Sequence, residues 1–115
     1  MAGVNWRKVR MRDVLNPKKW LIVLESYWLK GKGVSLDRCH RALEIEMGSG
    51  ETAADFWSRR VMGISLRHAK IIADRASKCP TCVANGNCED CGCPVPENMY
   101  SLRNECSAGN WGAEK

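Results

Sequence analysis

Between positions 79 and 106 the chain reads CPTCVANGNCEDCGCPVPENMYSLRNEC, which gathers six of its seven cysteines into one segment. The thiols fall at Cys79, Cys82, Cys88, Cys91, Cys93 and Cys106, a C-x2-C-x5-C-x2-C-x-C-x12-C spacing. In a C-x2-C turn two thiolates reach one tetrahedral metal while backbone N–H groups point at the sulfurs. Cys79-Pro80-Thr81-Cys82 and Cys88-Glu89-Asp90-Cys91-Gly92 both have the form of a zinc knuckle. Gly92 permits the positive φ such turns need, and Gly86 between Asn85 and Asn87 turns the chain from one knuckle to the other. The chemistry expected of this segment is metal binding, with zinc as the ion because closed all-thiolate sites suit it. One zinc per chain uses four of the six thiolates. Two zincs require bridging thiolates or a further ligand such as His68 or His40, and an iron–sulfur cluster takes the same four-thiolate set. In an oxidising compartment six cysteines would instead make three disulfides, although the odd total leaves one thiol over.

Metal also answers a folding problem. From Cys79 to Lys115 the sizeable apolar residues are only Val83, Val95, Met99, Tyr100, Leu102 and Trp111, too few for a core of their own. A structural metal supplies on the order of 10 kcal/mol to such a segment. Sulfur here replaces burial.

The stretch from Arg75 to Trp111 reads R-x3-C-P-x-C, then C-x2-C-G-C, then a cysteine followed after two intervening residues by G-N-W. It resembles the cysteine-rich proteins of tailed phages and related bacterial elements, which carry C-x2-C, C-x2-C-G-C and a closing C-P-x-G-x-W. The likeness covers about a third of the chain. Ser107 stands where that group has proline, and the lysine usual between the fifth and sixth cysteines is missing. The resemblance implies a small phage-encoded metal-binding protein and brings no activity with it.

The thiols must be carried by something, and the first 78 residues have helical periodicity. Asn16-Pro17 suits a helix start, and the following KKWLIVLESYWLK sets Trp20, Leu24, Tyr27 and Trp28 on one face with Leu21 at its edge. Gly31 and Gly33 end it. A second helix, capped by Ser35, spans 36–47 with Leu36, Cys39, Leu43 and Met47 as its stripe, and Gly48-Ser49-Gly50 breaks it. A third is expected over 52–62 and a fourth from Ser65 to Lys78, whose stripe is Leu66, Ala69, Ile72 (or Ile71), Ala73 and Ala76. The tryptophans Trp20, Trp28 and Trp57 are expected in the core. The fold expected is mainly α: a helical body over 1–78 and a cysteine-rich module over 79–115. Apolar stripes of its own should let the body keep its helices when the metal is removed.

Charge divides along the same line. Residues 1–78 hold 16 Lys+Arg against 8 Asp+Glu, net +8, and residues 79–115 hold 2 against 5, net −3. The run RRVMGISLRHAK resembles the turn and second helix of a helix-turn-helix, which places Arg67, His68 and Lys70 toward base edges and Arg59 and Arg60 near phosphates. A plain helical hairpin reads the same way, and Arg59 stands where the motif has a small residue. Arg7, Lys8, Arg10, Arg12, Lys18 and Lys19 beside Trp6 and Trp20 add a second basic patch suited to phosphate or to an acidic protein. A zinc module gripping phosphate should be basic. This one is acidic, so it braces the body or meets a protein.

No Ser/His/Asp constellation, phosphate loop or His-x-Glu beside a C-x2-C is present, so a non-enzymatic protein is expected. Cys39 reads as a small buried hydrophobe. The longest apolar run near the start, Trp20 to Leu24, is far short of the ~20 residues of a membrane span, and the basic N-terminus is not followed by a signal-peptide apolar region. The expectation is a reducing, cytoplasmic setting and a nucleic-acid-binding or regulatory protein, put first by the +8 charge of residues 1–78 and acting in the host-cell cytoplasm if phage-encoded. The alternative is a structural or adaptor protein, for example a minor phage-particle component in the virion.

Overall fold

The computed structural model describes residues 17–88, 93–106 and 109–113. It is mainly α. Helix α1 spans Pro17–Lys32, α2 Leu36–Ser49, α3 Glu51–Val61, α4 Leu66–Lys78 and α5 Pro80–Asn85, and a 3-10 turn follows at Glu97–Met99. Among the described residues β pairing is limited to one bridge, between Asn87 and Pro94. No described helix is long and apolar enough to cross a membrane.

The helix ends are where the sequence places them, within a residue or two. The Ser35 hydroxyl accepts from Arg38 N and the Ser65 hydroxyl from His68 N, so each satisfies a first-turn donor. The expected Asn16 cap lies outside the described residues. At the α3–α4 turn Gly63 adopts φ +71°, which a side chain resists. Two side chains of α3 lock this turn. Buried Ser58 donates to the Ile64 carbonyl at 2.8 Å, and Asp55 accepts from Leu66 N at 2.9 Å. The Leu66 amide, and then Arg59, hold the Asp55 carboxyl below its ordinary value.

Helices α2, α3 and α4 enclose a core of Cys39, Ala42, Ala54, Met62, Ile64, Leu66, Ala69 and Ile72, joined by Leu29 and Val34 from the end of α1. The whole predicted stripe of α4 is buried. Cys39 is fully buried, and desolvation pushes its thiol up to about 12. The prediction for α1 needs correction. Trp20, Leu21, Leu24 and Trp28 are 46%, 60%, 62% and 63% exposed, and the helix packs through the opposite side, where Ile22, Val23, Ser26 and Tyr27 meet Cys93, Pro94, Asn98 and Asn104. Ser26 reaches that buried side because its hydroxyl donates to the Ile22 carbonyl at 2.9 Å and leaves no polar atom unmet. Met47, expected in the α2 stripe, is exposed at the helix end, while Trp57 is half-buried against the core as expected.

The cysteine-rich tail therefore contacts both α1 and α4. Tyr100 leaves the tail to enter the helical core, where its ring is 2% exposed and its hydroxyl meets the Leu36 amide at the start of α2. A second apolar cluster, of Ala76, Cys79, Cys88, Val95, Met99 and Trp111, lies under the tail, and Leu36 borders both.

Candidate metal centre

Helix α4 stops at Cys79, whose amide donates to the Ala76 carbonyl, and α5 restarts at once with Pro80 in its first position. Proline suits that place because the amide it lacks would have no helical partner. The short helix was not anticipated: the C-P-x-C run reads as a turn, yet it continues for another turn to Asn85. Gly86, at φ +78°, closes α5 by donating to the Cys82 carbonyl at 2.9 Å. The same glycine opens a hairpin, its carbonyl accepting from Val95 N and Cys88 N donating to the Cys93 carbonyl at 2.8 Å. This pairing sets Cys88 against Cys93. Cys91 and Gly92 lie outside the described residues. The last thiol sits on a closed loop, with Cys106 N donating to the Trp111 carbonyl at 2.9 Å and Gly109 N to the Cys106 carbonyl at 3.0 Å.

Cys79, Cys82, Cys88, Cys93 and Cys106 all border the apolar cluster around Val95, Met99 and Trp111. None of these five is in a disulfide. Cys79 is the best defined. Burial raises its thiol above the ordinary value, Cys106 and Cys82 raise it further, and hydrogen bonds from Asn110 and the Trp111 side chain oppose them. The Asn110 amide nitrogen lies 3.4 Å from the sulfur. A buried thiol destabilised as thiolate by its neighbours, with an N–H group aimed at its sulfur, is a donor that a cation converts to thiolate. Among the described residues no group of three or more Cys, His, Asp or Glu is drawn tightly enough to enclose an ion. His40 is exposed on α2, and His68 is occupied by the tail.

Sequence reasoning missed what holds the tail in place. Arg75, on the buried side of α4, is 2% exposed and donates to five tail carbonyls. Nη1 reaches Met99 and Ser101, both at 2.8 Å. Nη2 reaches Leu102, Asn104 and Gly112 at 3.4, 3.3 and 3.1 Å. The guanidinium also stacks 4.4 Å over the Trp111 ring. One planar cation thus gathers Met99, Ser101, Leu102, Asn104 and Gly112 around the end of α4. The available signal was a charged residue one turn beyond Ile72, inside an otherwise apolar stripe.

Beside it, His68 Nε2 lies 2.6 Å from the Tyr100 carbonyl, a contact in which the ring nitrogen donates. Burial lowers the His68 pKa below its ordinary 6.5; the Tyr100 carbonyl and Glu25 oppose this, and the charges of Arg75 and Arg67 add to it. The unfolded chain therefore binds more protons at this site than the folded one. The stability this neutral histidine contributes is present above pH 6.5 and is lost as pH falls from there toward the folded value. Melting temperature should drop between pH 7 and 5.5, and His68→Gln should flatten that slope.

On the basic hairpin, Arg59 pairs with Asp55 at 2.8 Å and Lys70 with Glu46 at 2.8 Å. Arg60 and Arg67 are exposed. An open groove of about 720 Å³ runs between Arg59, Arg67 and Lys70, and it is also lined by Glu51, Asp55 and Asp74. Of the five residues expected to meet nucleic acid, His68 thus serves the tail and two share their charge with carboxylates. No protein-family description, curated protein or solved structure matches the chain.

Proposed function

We propose that the chain is a small non-enzymatic zinc-binding protein that works as an adaptor, its thiolate staple holding the tail against α1 and α4 so that α1 presents an apolar face to another protein. Four of Cys79, Cys82, Cys88, Cys91, Cys93 and Cys106 hold the ion. The observation that carries the reading is the exposure of Trp20, Leu21, Leu24 and Trp28 on a helix whose other side is seated on the cysteine tail. An apolar strip of that kind on a small protein marks an interaction surface. The resemblance to cysteine-rich phage proteins makes a phage-particle component the fitting context.

The second reading, a nucleic-acid-binding regulator in the host cytoplasm, is favoured by the +8 charge of residues 1–78 and by exposed Arg60 and Arg67. It is placed second because the carboxylates of the α3–α4 groove lie among the cations that would meet phosphate. Fluorescence anisotropy with labelled duplex and single-stranded DNA at ~50 mM salt separates the two. The adaptor reading expects no salt-sensitive binding. Binding that falls steeply with salt, and weakens several-fold in the Arg60→Ala, Arg67→Ala double variant, would put the regulator in its place.

A further inference from the structure

Resting on the zinc reading, we infer that Cys79 and Cys106 hold the same ion and that the Asn110 side-chain amide is the group that positions Cys79 for it. The two thiols are far apart in sequence and belong to different elements: Cys79 ends α4, and Cys106 opens the last loop of the tail. Asn110 joins them. It stands on the Cys106 loop, and its amide nitrogen lies 3.4 Å from the Cys79 sulfur. The loop is closed on itself by Cys106 N donating to the Trp111 carbonyl and Gly109 N to the Cys106 carbonyl, with Gly109 at φ +79°. It is also pinned from outside. Arg75, one turn before Cys79 on α4, stacks on Trp111 and donates to the Gly112 carbonyl. The loop therefore has a fixed seat at the end of α4, and Cys106 comes with it. Cys106 and Cys82 are near enough for their charge to act on Cys79, and all three border the same apolar cluster.

The chemistry of this contact points to a thiolate. A thiol sulfur is a weak acceptor, and Asn110 is exposed, so water is at hand for its amide. An N–H aimed at a half-enclosed sulfur contributes most when that sulfur carries charge, the state that metal binding requires. The bond then does for Cys79 what a carbonyl or carboxylate does for a metal-bound histidine: it fixes the orientation of the ligand and tunes its donor strength. One loop thus supplies both a ligand, Cys106, and the support of another. Two thiolates are half of a tetrahedral site. Pairing by local spacing alone, Cys79-Cys82 with Cys88-Cys91, would leave Cys106 spare. The Asn110 contact speaks against that arrangement, because it commits the Cys106 loop to Cys79.

The test has two arms, both on the full chain. In the first, zinc is added stepwise to the reduced protein and the thiols are alkylated with iodoacetamide and mapped by mass spectrometry. Shielding of Cys79 and Cys106 should rise in step through the first equivalent and be lost in step on chelation. In the second, cobalt(II) replaces zinc, and its thiolate-to-metal charge-transfer band reports how strongly the sulfurs donate. Asn110→Ala should still bind the metal but shift this band to lower energy, because a sulfur without its hydrogen bond gives up charge more easily. The same variant should weaken zinc by about 10–100-fold in competition with a chelator. Asn110→Gln, which keeps an amide donor, should recover part of both changes. A side chain that only packed would leave the band where it is. Alkylation of Cys106 at full zinc content overturns the inference, as does a band and a zinc affinity in Asn110→Ala equal to the parent's; either result leaves the zinc reading standing. A parent chain that binds neither ion ends the zinc reading itself, so the two failures are told apart.

Discussion

Replacing Arg75 by methionine is expected to lower the melting temperature of the zinc-loaded protein by about 15 °C, more than any other single change outside the thiols. Methionine keeps much of the volume and removes every donor. Five buried or half-buried carbonyls, of Met99, Ser101, Leu102, Asn104 and Gly112, would lose their partner together. Leaving a buried acceptor without its donor costs about 1–3 kcal/mol, and several of these carbonyls would be stranded at once. Loss of the guanidinium stack on Trp111 adds to this. Arg75→Lys tests the geometry apart from the charge. An ammonium keeps the cation but cannot fan out to five acceptors as a planar fork can, so this variant should recover only a minor part of the loss. Amide exchange gives the local readout: protection in residues 97–106 should fall by orders of magnitude while α3 keeps most of its own. A melting point within 3–4 °C of the parent for Arg75→Met would mean that the carbonyls find other donors, and that Arg75 does not hold the tail in place.

How far these features could be read beforehand depended on whether local spacing decides them. Helix α4 was legible because its stripe is regular, its cap is a serine and every stripe position is small or aliphatic. The turn at Gly63 was legible for the same reason. Helix α1 has apolar residues nearly all round, so periodicity marks a helix without saying which side finds a neighbour. The neighbour is the tail, distant in sequence, and it takes the side with Ile22, Val23 and Ser26 rather than the side with the tryptophans. Ser26, polar and yet buried, gives periodicity no sign that its side is the inner one. Arg75 was hidden by a similar rule, since a charged residue is assigned to solvent unless its partners are known, and here the partners are backbone carbonyls 24 to 37 residues on. The thiol spacing announced a metal site. It could not announce that Tyr100, lying between the thiols, would be spent on the helical core instead.

That placement of Tyr100 alters what metal removal should do. Apolar stripes alone suggest that chelation would unfold residues 79–115 and spare the body. With Tyr100 inside the core, Arg75 inside the tail and α1 seated on Cys93, Pro94 and Asn98, the damage should spread to the body. A structural metal contributes on the order of 10 kcal/mol, which is as large as the whole stability of a typical domain. Chelation of the zinc-loaded protein should therefore abolish amide protection in α1 as well as in residues 79–88 and 93–106. Helices α2 to α4 should keep weaker protection through Cys39, Ala42, Met62, Leu66 and Ile72, which remain in mutual contact. Cys82→Ser should reproduce this at reduced zinc content, because it removes a thiol beside Cys79 on the rim of the same apolar cluster. Cys39→Ala should leave the zinc content at its full value, since that thiol is buried in the helical core. Elemental analysis and exchange mass spectrometry decide the matter together. Three intact disulfides and no metal would end the zinc reading, whereas full zinc with α1 still protected after chelation would show that α1 holds its place without the tail.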